Sequence, residues 1–197
     1  VKLYWSPGSP YARKAKVVAD ELGIALGLVR PDLQNLEDSS YGRINPIHRI
    51  PALVLDDGTV LPDSKLICDY LDSSKGNKLL PASGPERWRV YRLQVLGDGI
   101  LDAAVPRRGE RARPPEQQSP TRLAQYKRTI DQTVDALEAE ADELKGLNLG
   151  TIAVGCALGY LDFRFPDEDW RATHPKLAAW FAEFAKRPTM AATVPQG

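Results

Sequence analysis

Ser9 and Pro10 stand where a four-residue run, Lys2-Leu3-Tyr4-Trp5, which reads as a short strand, gives way to a helical pattern. Serine is a favoured N-cap and proline a favoured first helical residue, so the pair reads as a helix start. A hydroxyl fixed there also lies in the positive field of the helix N-terminus, beside backbone N–H groups without partners, where a negative atom can be held. Attack by the hydroxyl itself is disfavoured. No histidine lies nearby in sequence to act as its base, and an unactivated serine is a poor nucleophile. Asp63-Ser64 opens a second helix, where capping and anion binding are compatible roles. Ile50-Pro51 precedes the strand-like run Ala52-Leu53-Val54-Leu55. Proline there fits the start of an edge strand, since it cannot donate to a central ladder.

These residues need elements to hold them. Tyr11, Ala15, Val18 and Leu22 recur at helical spacing, with Gly23 placed as a C-terminal cap. Residues 25 to 29 read as a second strand, and 31 to 48 as a loop with one short helix around Tyr41. Asp56-Asp57-Gly58 between Ala52–Leu55 and Thr59–Leu61 is a hairpin signal. Leu66, Ile67, Tyr70 and Leu71 share a face of the helix that follows. Residues 75 to 85 read as an interdomain linker, which bounds an α/β domain at 1–74 and an all-helical domain at 86–197. In the second domain Trp88, Tyr91 and Val95 mark one helix, and Leu123 to Leu144 a long one. The proline- and arginine-rich residues 106 to 120 read as an exposed loop. Ile152 to Leu161 is too apolar for a surface helix and is expected at the centre of the core. Leu177, Trp180, Phe181 and Phe184 mark the last helix.

Composition narrows the partners. The 197 residues are 43% hydrophobic and carry 26 basic and 26 acidic side chains, so no net field directs the chain to nucleic acid or an anionic membrane. No apolar run approaches the ~20 residues of a membrane span, and no basic-then-apolar leader precedes the first strand. A cytoplasmic location and a small-molecule partner are expected. Cys68 and Cys156 lie far apart in apolar helical patterns and read as buried thiols, and two histidines make no metal site.

Over nearly its whole length the chain resembles bacterial glutathione S-transferases. The likeness rests on Ser9-Pro10-Tyr11-Ala12-Arg13 after the first strand, Asn45-Pro46 with Ile50-Pro51-Ala52-Leu53, and the Asp63-Ser64 helix start. It extends to Tyr160-Leu161-Asp162-Phe163-Arg164 with Trp170-Arg171 and His174-Pro175. The resemblance implies a thioredoxin-like α/β N-terminal domain, an all-α C-terminal domain and a homodimer. Glutathione would be the cosubstrate, with no metal, and a small, mostly apolar electrophile the second substrate.

The resemblance also implies roles. Ser9 occupies the catalytic position, filled in other classes by cysteine, and would donate a hydrogen bond to the glutathione sulfur; Ser6 and then Tyr4 are the competing donors. Pro51 would follow a cis bond, which leaves the N–H and C=O of Ile50 free for the cysteinyl backbone of glutathione. Ser64 would take the γ-glutamyl carboxylate and Asp63 the ammonium. Arg49, with His48 second, stands where the family often has Gly-Lys and would hold the glycyl carboxylate. Without a cysteine at position 9 a thiol-disulfide oxidoreductase is a poor reading; a non-catalytic ligand-binding or interaction protein of the same fold is the alternative. Two departures stand out. Asn148-Leu149-Gly150-Thr151 replaces a helix start that commonly ends in aspartate, so a carboxylate is missing there. Arginines at 107 to 113 lie near where the family places the electrophile wall, and read either as a solvated loop or as a preference for acidic electrophiles.

Overall fold

The computed structural model describes residues 1–32 and 40–197, so the expected loop at 31 to 48 lies partly outside the described residues. Two compact units divide the chain. The first comprises Val1–Ser83 with Pro188–Gly197, and the second Gly84–Arg187.

The first unit is built on strands β1 (Lys2–Tyr4), β2 (Gly27–Val29), β3 (Ala52–Val54) and β4 (Val60–Pro62), with helices α1 (Pro10–Glu21), α2 (Tyr41–Ile44) and α3 (Ser64–Ser73). The sheet order is β2-β1-β3-β4, parallel between β1 and β2 and antiparallel elsewhere. This is the α/β domain expected from the sequence. The β3–β4 turn forms at Asp56-Asp57-Gly58, where Gly58 has φ 88°, a conformation that side chains disfavour. Asp57 accepts the Thr59 N–H at 2.8 Å and tightens it. Ala12, Ala15, Val18 and Ala19 of α1 and Ile67, Cys68 and Leu71 of α3 are buried, giving the unit its core.

Residues 75 to 85 do not form a loose linker. The buried carboxylate of Asp72 accepts the N–H groups of Leu79 and Leu80, both at 2.8 Å, and both leucines are buried. Their burial keeps this segment in the first unit up to Ser83. The last ten residues also belong there, where the sequence suggests the helical domain. The reason is Arg13 of α1, only 4% exposed, which donates to the Met190 carbonyl at 3.0 Å and to Thr193 Oγ1 at 3.3 Å.

The second unit contains α4 (Gly84–Arg111), α5 (Pro120–Ala139), α6 (Leu149–Arg164) and α7 (Pro175–Phe184). Helix α6 is buried along nearly its whole length, as its composition predicts. It meets α4 at two glycines. A Cβ on Gly97 would lie 2.7 Å from the Ala153 carbonyl carbon, and one on Gly150 would lie 2.7 Å from the Val90 carbonyl oxygen.

Three expectations for this unit are corrected. Helix α4 continues through Pro106 to Arg111 rather than ending in a loop. An internal proline costs a helix about 3 kcal/mol, but here the last turns are anchored: Arg107 pairs with Glu168 through two hydrogen bonds of 2.8 and 2.5 Å, and Glu110 accepts the Ser119 N–H at 2.6 Å. Trp88, Tyr91 and Val95 lie on α4 as expected and are 68%, 37% and 47% exposed. The long helix marked to Leu144 ends at Ala139 and gives way to a 3-10 turn at Ala141–Glu143. No carboxylate is needed at the start of α6. Asn148 Oδ1 accepts the Thr151 N–H at 2.9 Å, and Thr151 Oγ1 accepts the Asn148 N–H at 3.0 Å, so the hydroxyl closes the capping box.

Candidate active site

Three segments carry the sequence-predicted residues, and the strand register aligns them. Tyr4 pairs with Ala52, and Ala52 pairs with Pro62, so the three form one row across the sheet. The Ser6–Ser9 turn leaves the end of β1 beyond Tyr4. Arg49-Ile50-Pro51 enters β3 immediately before Ala52, and Asp63-Ser64 follows Pro62. The segments therefore leave the sheet from the same end.

Ser9 is the N-cap of α1. Its N–H bonds the Ser6 carbonyl at 3.1 Å, and its Oγ accepts the Ala12 N–H at 3.3 Å. A serine hydroxyl has one donor and two acceptor positions, so capping leaves its proton available. Among the described residues no histidine or carboxylate bonds Ser9, which leaves it without a general base. Gln196 N–H reaches the Pro7 carbonyl at 3.4 Å, so the C-terminal segment touches this turn as well as Arg13. Ser6 is half-buried, and the Tyr4 ring lies 5.2 Å from that of Tyr41 between centroids.

The Ile50–Pro51 bond is cis. Among the described residues neither the N–H nor the C=O of Ile50 makes a hydrogen bond. Its approach is fixed one residue upstream, where the Arg49 carbonyl accepts the Tyr41 hydroxyl and Asn45 Nδ2, each at 2.7 Å. Asn45 Oδ1 also accepts the Ile47 N–H at 3.1 Å, folding the intervening turn. Burial raises the Tyr41 phenol above its ordinary pKa, with the Asn45 hydrogen bond opposing, so it remains a donor. Sequence reasoning assigned no role to Tyr41 or Asn45. Asn45-Pro46 was the available signal, since asparagine before proline folds a turn through its own side chain. His48 and Arg49 are exposed, and His48 has φ 54° with its ring against Gly42.

Asp63 and Ser64 form the N-terminus of α3. Asp63 is exposed, holds φ 71° and accepts the Lys65 N–H at 2.7 Å, while Ser64 is 2% exposed as the first helical residue. The carboxylate thus caps the helix and keeps a second oxygen for another donor.

The run from Tyr160 to Pro175 that carries the rest of the resemblance has a structural use in the second unit. Asp162 accepts the Trp170 indole N–H at 2.9 Å and both Arg171 terminal nitrogens, at 2.5 and 2.6 Å. His174 joins the Trp170 carbonyl at 2.6 Å to Asp135 at 2.9 Å. Arg107, Arg111 and Arg113 are each paired with an acid, so these three are neither solvated loop charges nor free cations. Among the described residues no group of histidine, cysteine and acidic side chains could hold a metal ion, and no helix is long and apolar enough to cross a membrane.

Residues 3–79 match the glutathione S-transferase N-terminal domain, and residues 120–183 match the C-terminal domain. The uncharacterized GST-like protein YibF of Escherichia coli K12 is 33% identical over 99% of this chain and 98% of its own length. The chain belongs to the glutathione S-transferase family. Its fold agrees with that of a glutathione transferase family member from Pseudomonas fluorescens Pf-5, crystallised with bound glutathione. That protein has 43% identity and a TM-score of 0.91, with 100% of this chain and 99% of that one covered. A glutathione S-transferase from Methylobacillus flagellatus KT with glutathione bound has 34% identity and a TM-score of 0.93, with 99% of both chains covered.

Proposed function

We propose that this transferase-family chain binds glutathione along the Tyr4–Ala52–Pro62 row and stabilises its thiolate for attack on a small, mostly apolar electrophile. The row carries the reading. Three strands about 4.8 Å apart span roughly 10 Å, and an extended tripeptide spans about the same distance. The sulfur end falls to Ser9, the cysteinyl backbone to Ile50 beside Pro51, and the γ-glutamyl end to Ser64 and Asp63. Arg49, with His48 second, takes the glycyl carboxylate. The glutathione-bound relatives support this choice of ligand.

Ser9 acts as a donor. Its hydroxyl proton points to the sulfur while Ala12 N–H occupies a lone pair, and the N-terminus of α1 adds a positive field. A free thiol has a pKa of ~8.5, and lowering it by roughly 2 units corresponds to about 2.7 kcal/mol. The sulfur is then mostly ionised at neutral pH. The thiolate forms the new bond to an electrophilic carbon, and the leaving group departs with the bonding electron pair.

We infer a cytoplasmic homodimer. The exposed Trp88, Tyr91 and Val95 along one side of α4, and the exposed Leu66 and Tyr70 on α3, favour burial against a second copy. Two measurements test the function: retention on immobilised glutathione, and glutathione-dependent turnover of an aryl halide. Retention with turnover is expected. Retention without turnover would make the chain a binding protein, and no retention would refute the glutathione reading.

A further inference from the structure

A cavity of about 370 Å³ opens in the second unit between α5, the end of α6 and the residues that lead into α7. Ile130 and Val134 of α5, with Leu161 and Phe165 at the end of α6, form its apolar lining, and all four are buried. Its size and lining are those of a small-molecule site. The charged part of the lining is unequal. Four carboxylates, Asp131, Asp135, Glu168 and Asp169, face two permanent cations, Arg107 and Lys127.

The cations are already matched. Arg107 gives its two terminal nitrogens to Glu168, at 2.8 and 2.5 Å, and its Nε is buried away from solvent. Lys127 lies 2.7 Å from each oxygen of Asp131. His174 directs Nδ1 to the Trp170 carbonyl at 2.6 Å and Nε2 to Asp135 Oδ1 at 2.9 Å, so neither ring nitrogen is left for a ligand. Carboxylate oxygens remain. Asp135 uses Oδ1 on His174, and Asp169 uses Oδ1 on the Arg171 N–H at 3.1 Å; among the described residues the Oδ2 of each has no partner.

We propose that this cavity binds a small organic amine, with its apolar body against Ile130, Val134, Leu161 and Phe165 and its ammonium group at the rim, toward Oδ2 of Asp135 and of Asp169. An anion would meet paired cations and uncompensated carboxylates, and a neutral apolar molecule would leave those carboxylates without a counter-charge. A bare metal ion is disfavoured as well, because among the described residues no group of histidine, cysteine and acidic side chains could hold one. The ligand is therefore defined by one positive charge joined to an apolar group. Asp135 and Asp169 are exposed, so they supply selectivity while the apolar lining supplies most of the affinity. The site uses residues of the second unit only and stands whether or not the glutathione reading holds.

NMR titration of the full chain tests it with three probes of similar shape, 2-phenylethylamine, 2-phenylethanol and phenylacetate, because amide shifts report where each binds as well as how tightly. The amine should give saturable shifts at the amides of Asp135, Asp169 and Thr173. The alcohol should bind several-fold more weakly, and phenylacetate should not saturate these signals. Asp135→Asn and Asp169→Asn each keep an oxygen for the hydrogen bond the carboxylate now accepts, and remove only the charge. Each should weaken the amine about twofold to fivefold, the scale of one exposed ion pair, and leave the alcohol unchanged. Added salt should weaken the amine and spare the alcohol. Equal binding of amine and alcohol, saturation of these amides by phenylacetate, or amine shifts confined to residues outside the cavity would overturn the proposal. Unchanged amine affinity in either folded variant would overturn it too.

Discussion

The Tyr41 hydroxyl donates to the Arg49 carbonyl at 2.7 Å, on the same oxygen that Asn45 Nδ2 reaches at 2.7 Å. This shared acceptor holds the chain one residue before the cis Ile50–Pro51 bond and so sets the direction of Ile50. Tyr41→Phe and Asn45→Ala should each cost about 1 kcal/mol, because the other donor still serves the carbonyl. The double variant should lose more than the sum, since the oxygen then has neither donor. Urea unfolding of the four proteins measures the coupling, and strict additivity would show that the two donors act independently.

Ser64→Ala separates binding from chemistry at the α3 N-terminus. Loss of the hydroxyl should raise the KM for glutathione several-fold, leave the KM for the electrophile near its starting value and change kcat little, as expected for uniform binding at a remote group. Steady-state kinetics with each substrate varied in turn checks this. Equal effects on both KM values would contradict the assignment.

Two glycines in α4 should respond oppositely to alanine. Gly97→Ala places a methyl 2.7 Å from the Ala153 backbone and should destabilise the protein by about 1–3 kcal/mol. Gly109→Ala meets open space and should stabilise it by up to about 1 kcal/mol through helix propensity. Thermal unfolding of the two variants side by side distinguishes close packing from a general intolerance of α4 to substitution.

Much of this was legible in the sequence because it depends on local chemistry. Ser9-Pro10, Asp63-Ser64 and Asp57-Gly58 announce caps and a turn through their own side-chain and backbone preferences, and each occurs at its predicted place. The apolar run of α6 announced a buried helix for the same reason. What was hidden depends on distant partners. Pro106 signals a helix end, yet Glu168, 61 residues from Arg107, holds the helix beyond it. Trp88, Tyr91 and Val95 repeat as a core face would, while Gly97 and Gly150, which set the real α4–α6 contact, have no side chain to contribute to any pattern. Thr151 looked like a missing carboxylate only because a hydroxyl can close the same hydrogen bond. Asn45-Pro46 signalled a turn, but that Asn45 and Tyr41 donate to the Arg49 carbonyl was hidden, since a main-chain acceptor has no sequence signature.

Glu110 links stability to pH. Its carboxylate lies below the ordinary value of 4.5, chiefly because it accepts the Ser119 N–H, with Arg113 and Arg122 adding to the effect. A depressed folded-state pKa gives stability that is present above the unfolded value and is lost as pH falls through the folded one. The unfolding midpoint of the unmodified protein should therefore drop more steeply below pH 4.5 than that of Glu110→Gln, which has no proton to take up at this site. Parallel midpoints across that range would contradict the linkage.

The Ser9–sulfur contact is the centre of the account, and Ser9→Cys tests it most directly. A thiol at this position would lie against the bound sulfur and in the same helix field, which depresses its pKa and favours exchange with a disulfide. The variant is treated with oxidised glutathione and its intact mass measured, alongside the unmodified protein, whose Cys68 and Cys156 are both buried. The account predicts one added glutathione on the variant, none on the unmodified protein, and a fall in conjugation as the sulfur is trapped. A folded variant that is retained on immobilised glutathione yet gains no glutathione would contradict it, and would move the donor role to Ser6 or Tyr4.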